Sequence, residues 1–497
     1  MRQKTPLIRR RTIPLNKIIS KLAALSAAAT AFFSCTPFSA FADELQGAEN
    51  TLYDGSFYYE LNPDMTYTIT KCSATIVTEV PSIRNGTAIT AIGDGAFQSC
   101  TGITSLKIPD SITTIAPNAF YDCASLKSVT LPKKLTYLGD HAFFGCISLE
   151  SVELPDTLTK VEPFTFALCQ SLSDIKLSNN VTDIGEYAFY QCASISGFRL
   201  PASLTSIGDN AMGCWFSLQE IDASANSSFV YEDEMLMDSK KNDIIRASVN
   251  KSGELIIPEG TVNIRSGAFS TCAQLTSLHI PSSVTAIGDE AFSYCSGLKS
   301  VDFSEGLETI GLSAFMFDNK ITSLSIPTTV SMIDDNAFAY CESLSKVILP
   351  EGVKTIGADA FFVCDELKQV SIPKSVSSIG DDAFGFTYES PERKPVEGFS
   401  LSVFSGSAGA KYAKSEKISY TVTDFNIKKI AFIVIMLGAL AAAAVFAAVL
   451  MKRGWKLGAS GARKAAKKAK ELEAEKAYKK IMGDDAEDKS AEKNGEE

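Results

Sequence analysis

From Gly93 to Phe384 the apolar and polar positions follow one pattern, roughly C-x-x-L-x-x-V-x-L-P-x-x-(V/L)-T-x-I-G-x-x-A-F, which returns every 23 residues. Its Ala-Phe pair marks the step: Phe97, Phe120, Phe143, Phe166, Phe189 and Met212, then Phe269, Phe292, Phe315, Phe338, Phe361 and Phe384. Periods of about 20 to 50 residues mean stacked repeats, because so small a unit cannot bury its own apolar face and must share a core with its neighbours. The pattern predicts a repeat solenoid of about twelve 23-residue coils.

One unit, Cys123 to Phe143, shows how a coil is built. Val129 and Leu131 alternate with polar residues, as in a strand with one buried face, and Pro132 stops it. Leu135 and Leu138 belong to a second short extended segment, and Gly139 supplies a tight turn. Asp140 to Phe143 is expected to start a turn or short helical stretch that drives Ala142 and Phe143 inward. Stacked in register, such coils place parallel strands about 4.8 Å apart, so twelve would span about 60 Å. The period fails between Ser224 and Pro258, since Met212 to Phe269 takes 57 residues. Phe229 to Tyr231 and Ile244 to Ile245, separated by the polar run Asp238 to Asp243, predict a projecting hairpin. That insertion is a spacer between two six-repeat blocks or a dedicated binding element.

The two ends differ from the repeats. Residues 1–42 carry seven basic residues and no acid, then the apolar run Leu22 to Phe33 and the small-x-small stop Ala40-Phe41-Ala42, as in a secretory signal peptide. Ile430 to Leu450 is apolar and uncharged, and at about 1.5 Å per residue it matches a hydrocarbon layer of about 30 Å. A single C-terminal transmembrane helix is therefore expected. Lys452, Arg453, Lys456, Arg463 and Lys464 follow it, which places the repeats outside and the tail in the cytoplasm. Gly438 and Ala442 form a small-xxx-small pair, the cue for a homodimer through that helix. The tail is basic and helix-favouring over 459–482 and acidic over 483–497.

The formal charge of −11 conceals an asymmetry: residues 43–450 hold 27 Lys and Arg against 48 Asp and Glu. A net −21 over that stretch argues against nucleic acid as a partner, whose binding relies on basic side chains releasing counterions. Nine of the 12 cysteines share one repeat position: Cys100, Cys123, Cys146, Cys169, Cys192, Cys272, Cys295, Cys341 and Cys364. A spacing of one whole coil suits neither a zinc site nor, with parallel side chains, a disulfide framework. The expectation is a ladder of buried free thiols, each a small hydrophobe with weak donor capacity towards the turn backbone. No cofactor or metal is implied. The chain is not read as an enzyme: His141 and His279 lack motif partners, and no nucleophile elbow, P-loop or H-E-x-x-H occurs.

These residues resemble the BspA-type leucine-rich repeat proteins of bacterial surfaces. Ala119 to Pro132 carries the A-F-x-x-C-x-x-L-x-x-V-x-L-P signature. Gly55 to Tyr59 with Asp64 to Ile69 resembles the family's N-terminal hairpin, and Ser405 to Ala408 with Lys411 to Ala413 resembles its closing cap. The resemblance covers about residues 52–425. It implies a leucine-rich-repeat-like right-handed superhelix with parallel β-strands and short helical turns, and adhesion to host or neighbouring-cell proteins. The expected organisation is a signal peptide 1–42, N-terminal cap 43–90, repeat block 91–223, insertion 224–257, repeat block 258–388, cap and linker 389–429, membrane helix 430–450 and tail 451–497.

Recognition is the function left. Exposed strand positions form one column, with Lys107, Thr130, Glu153, Lys176, Arg199 and Asp222 in the first block and His279, Asp302, Ser325, Ile348 and Ser371 in the second. Lys176, Arg199 and His279 are its candidate contacts. A second set, Tyr121, Phe144, Tyr190, Tyr294, Phe317, Tyr340 and Phe362, is aromatic and belongs either to packing between coils or to an interface. The leading expectation is a membrane-anchored surface protein binding an extracellular protein ligand. The alternatives are a receptor signalling through its tail and a non-binding structural envelope protein.

Overall fold

A computed structural model describes residues 52–389 and 392–424, and parts of two helices within 435–448 and 464–473. The expected signal peptide, and much of the 430–450 run and the tail, lie outside the described residues. Among the described residues, no helix is long and apolar enough to cross a membrane.

The chain forms a β-solenoid of stacked parallel coils, about 15 turns in all, because the two caps add turns to the twelve legible repeats. Each coil contributes two strands to two parallel ladders. In the first, Leu106 pairs with Val129 and Val152 with Ile175, one period apart. In the second, Ile264, Ile287, Ile310, Ile333, Ile356 and Ile379 align in sequence. Strands of three residues, such as Ser128–Thr130, expose both ends and bury the middle, which is how the polar-apolar alternation becomes a one-sided sheet.

The third edge of each coil carries the Ala-Phe pair. Successive Phe rings stack face to face, with centroids 4.9 to 5.5 Å apart from Phe97 to Phe189 and 4.8 to 5.3 Å apart from Phe269 to Phe384. Each ring is buried. Burial of one Phe contributes about 2–3 kcal/mol, and offset stacking about 1 kcal/mol more.

Of the turn or short helical stretch expected after Gly139, the turn is what forms. Asp140 to Phe143 is a run of turns, because His141 sits at φ 56° and Gly145 at 71°. Left-handed residues recur at these two positions in nearly every coil, including Phe164, Tyr187, Leu168 and Val363. A right-handed helix cannot propagate through them. Gly139 itself is needed for close approach: a Cβ there would lie 2.4 Å from the backbone nitrogen of Pro117.

The insertion also departs from a projecting hairpin. Phe229–Glu232 pairs with Met235–Asp238, around a tight turn at Asp233 and Glu234, not with Ile244 and Ile245. The third strand, Asp243–Ala247, pairs antiparallel with Met235–Asp238 and joins the parallel ladder beside Asn263–Ile264. Its buried residues include Ile244, Arg246 and Ala247, so the insertion is part of the wall. The hydrophobic core divides there into two clusters.

At the ends, antiparallel strands Leu52–Tyr53, Phe57–Leu61 and Tyr67–Cys72 cap the first coil. At the other end Ser400–Val403 and Ser419–Val422 extend the first ladder, with helix Ala408–Ser415 between them. Ser407 caps that helix by accepting from the Ala410 amide at 3.2 Å. Tyr412 closes the Phe ladder: its hydroxyl accepts from Phe384 N at 2.9 Å and donates to Phe384 O at 3.1 Å.

Candidate protein-binding surface

Two surfaces carry the sequence-predicted residues, and their chemistry differs. On the strand face the charged column pairs with itself. Lys107 meets Glu79 at 2.9 Å, Lys176 meets Glu153, Arg199 meets Asp222 at 3.5 Å, and His279 Nδ1 lies 2.8 Å from Asp302. Parallel register makes the last three pairs, whose members lie one period apart and are cross-strand neighbours, while Glu79 meets Lys107 through an isolated parallel bridge from the cap. Such exposed pairs are worth about 0–1 kcal/mol each. They leave the face locally neutral and mostly Ser- and Thr-rich, as at Ser128, Thr130, Ser323 and Ser325.

The turn edge is different. The predicted aromatics occupy two positions of the repeat. Tyr121, Phe144, Tyr190 and Phe362 directly follow the Phe of their coil, whereas Tyr294, Phe317 and Tyr340 come two places after it. Tyr121 stacks on Phe144 at 4.8 Å. In the second block Tyr294, Phe317 and Tyr340 stack at 4.7 and 4.5 Å, and Phe362 meets Tyr340 edge-on at 6.0 Å. All six are half-buried. Tyr190 is set apart: it is buried, and its hydroxyl donates to Glu290 Oε2 at 2.8 Å.

Phe216 extends the second-block series. It is 51% exposed and lies edge-on to Tyr294 at 6.0 Å, across the junction between the two blocks. Its sequence position gave no signal, because it directly follows Trp215 in the coil where the thiol column is broken. The structure also adds a stack of His141, Phe164 and Tyr187 at 4.7 and 4.9 Å, in the left-handed column.

Carboxylates line the same edge. Burial pushes Asp289, Asp334 and Asp359 above the usual carboxylate range, Asp359 to about 6, with repulsion from neighbouring carboxylates such as Asp335 adding to it. Burial likewise raises Glu290 to about 7, against hydrogen bonds from Tyr190 and Cys214 that favour its anion. The nearby cations are engaged: Arg265 donates to Asp209 at 2.6 Å, and Arg393 pairs with Asp382 and Glu416.

The cysteine column runs inside. Cys123, Cys146, Cys169 and Cys192 donate to the carbonyls of Phe97, Phe120, Phe143 and Phe166 at 3.0 to 3.2 Å, each 26 residues back. Cys295, Cys341 and Cys364 donate to Phe269, Phe315 and Phe338 at 3.2 to 3.3 Å, while Cys272 turns to Ser248 O at 3.4 Å. Trp215 fills the broken position, its indole N–H donating to Phe189 O at 2.7 Å. Among the described residues no group of three or more His, Cys, Asp or Glu could hold a metal ion.

Comparison with known proteins agrees with this geometry. The BspA type leucine rich repeat region matches in six copies over residues 87–230 and 262–389. No curated protein matches the chain. Among solved structures, a leucine rich cell surface protein from Faecalibacterium prausnitzii is similar at 29% identity and a TM-score of 0.53, over 69% of this chain and 96% of that one. The pneumococcal vaccine antigen PcpA shares the fold, with 19% identity and a TM-score of 0.53 over 76% of this chain and 99% of its own. The matched repeats cover more than half of the sequence, and the chain belongs to the BspA-type leucine-rich repeat family.

Proposed function

We propose that this protein is a membrane-anchored bacterial surface protein that binds other proteins, as an adhesin for host or neighbouring-cell surface proteins. The aromatic series Phe216, Tyr294, Phe317 and Tyr340 carries the reading. Solenoids bind through columns of residues, and aromatics are enriched in protein interfaces while isolated charges are not. The strand face offers mostly self-paired charges, so the turn edge of the second block is the better contact. The likeness to a cell surface protein supports the location. The leader-like residues 1–42 and the apolar run 430–450 support export and anchoring by one membrane helix, with the repeats outside.

The test is capture of surface proteins from host and neighbouring cells by the purified chain and by a Phe216→Ser, Phe317→Ser variant. Saturable capture that the variant loses, with its circular dichroism unchanged, is the expected result. Capture unaffected by the variant would move the site off this edge, and no capture at micromolar concentration would leave the structural envelope role.

A further inference from the structure

On the last coil, a basic side chain already occupies the turn edge. Asp382 and Phe386 stand where Glu290 and Tyr294 stand four coils earlier, one at the first left-handed position and one two places after the Phe of the coil. The hairpin of Phe386–Glu389 and Glu392–Pro395 brings Arg393 back onto them. Its guanidinium pairs with Asp382 and Glu416 and lies over the Phe386 ring, 4.5 Å from the centroid. Arginine suits such a place because its planar group stacks on a ring while donating to a carboxylate. The preceding coils offer the same chemistry. Tyr340 is half-buried and meets Phe362 edge-on at 6.0 Å. The Phe362 amide donates to Asp359 O at 3.0 Å, so Asp359 belongs to the turn beside that aromatic pair. Its half-buried carboxylate makes no hydrogen bond or ion pair among the described residues. Charge along the whole edge has one sign: the twelve turn segments, from 93–101 to 380–388, hold 16 Asp and Glu against one basic residue, Arg265, which Asp209 engages. The negative charge of the chain is therefore concentrated on the face that carries the aromatics.

We propose that the turn edge of the second block, from Tyr294 to Phe362, binds an extended, arginine-containing segment of a partner protein, whose guanidinium groups pair with its carboxylates against the aromatic rings as Arg393 does on the last coil. This partner chemistry presupposes that the turn edge is the protein contact, as proposed above. The aromatics supply apolar area, and the carboxylates select the sign of the partner's charge and speed its approach. A second copy of this acidic chain, presenting the same edge, is repelled by the same field. Burial, which pushes the Asp359 carboxyl up to about 6, is offset once a cation lies beside it.

The probe is a fluorescein-labelled peptide alternating Arg and Ser, titrated with the full chain in detergent at pH 7.5 and low salt, and followed by fluorescence anisotropy. Peptides of the same length alternating Lys and Ser, or Glu and Ser, are the comparisons. Saturable binding is expected for the Arg peptide, weaker binding for the Lys peptide and none for the Glu peptide. Asp359→Asn and Tyr340→Ser should each weaken the Arg peptide about three- to fivefold, the effect of losing one exposed ion pair or cation–π contact. Glu254→Gln, on the exposed strand face, should leave its affinity unaltered. Asp359→Asn preserves the side-chain shape, so the site is tested even where Tyr340→Ser does not fold. No saturable binding of the Arg peptide, equal binding of the Lys or Glu peptide, or the same affinity in Asp359→Asn as in the unaltered chain would each overturn the proposal. Should the Arg peptide fail while surface proteins are still captured through Phe216 and Phe317, the edge remains a protein contact and the arginine chemistry alone is refuted.

Discussion

Asp318 occupies the thiol position of its coil, and replacing it with cysteine should stabilise the protein in a pH-dependent way. Its side chain is fully buried, and neither carboxyl oxygen has a hydrogen-bond partner among the described residues. Burial raises its pKa well above 3.8. A carboxyl kept neutral in the folded state costs nothing below its ordinary pKa, and then about 1.4 kcal/mol for each pH unit above it, until the folded pKa is reached. The penalty is therefore larger at pH 7, where linkage caps it at about 4 kcal/mol, than at pH 4.5, where the cap is about 1 kcal/mol. Asp318→Cys removes it and restores the donor that Cys295 and Cys341 supply on either side, at 3.2 and 3.3 Å from their carbonyls. Urea denaturation followed by circular dichroism at both pH values gives the difference directly, and other titrating groups cancel between variant and parent. The variant should gain more at pH 7 than at pH 4.5, by up to about 3 kcal/mol, with Asp318→Asn showing the same trend from loss of the ionisable group alone. An equal gain at both pH values, or a loss at pH 7, would refute the reasoning.

Phe292→Ala removes a fully buried ring that stacks on Phe269 and Phe315, and should cost about 3–5 kcal/mol in urea denaturation. Glu290, raised from 4.5 to about 7, makes the junction lose up to about 3 kcal/mol as pH climbs between those values and nothing below them. Glu290→Gln should flatten that part of a melting-temperature profile. Arg246 is fully buried and donates to the carbonyls of Gly267 at 2.6 Å, Ser270 at 3.0 Å and Trp215 at 3.1 Å. Arg246→Met leaves those acceptors bare and should cost about 3 kcal/mol, seen in the same denaturation assay. Lys176→Ala breaks only an exposed pair with Glu153 and should shift stability by less than about 1 kcal/mol.

The repeat was legible because its signal is side-chain chemistry at a fixed spacing: Phe143, Cys146, Leu149 and Val152 all point inward, and apolar residues fill such positions in almost every coil, with Asp318 and Thr165 as exceptions. Left-handed geometry left no such mark. His141, Phe164, Tyr187, Glu290 and Asp359 share one backbone conformation and no side-chain type. What fixes that conformation is bonding between coils, as where His141 N donates to Pro163 O at 3.2 Å and Phe164 N to Glu186 O at 3.0 Å. A single coil read alone leaves turn and helix both open because the bonds that forbid the helix come from the next coil. The aromatic stripe was seen as residue types but not as a surface, since Phe216 and Tyr294 are far apart in sequence.

The junction carries the same lesson further. Residues 212 to 269 look like a gap in the period, yet the turn edges of the flanking coils are stacked directly. Cys214 N donates to Ser270 Oγ at 3.0 Å, and Thr271 Oγ1 donates to Trp215 O at 3.2 Å. The extra chain is absorbed on the other edges by three strands, of which Asp243–Ala247 enters the parallel ladder. Arg246 then lies inside the wall, where its carbonyl contacts bridge the Trp215 coil and the Gly267 coil. A buried cation whose two terminal nitrogens are held by carbonyls from both coils links their separation to the desolvation of a charge, so parting the blocks requires water to follow it in. The insertion therefore acts as a clamp between the blocks, and any bending of the stack should be resisted there instead of concentrated there.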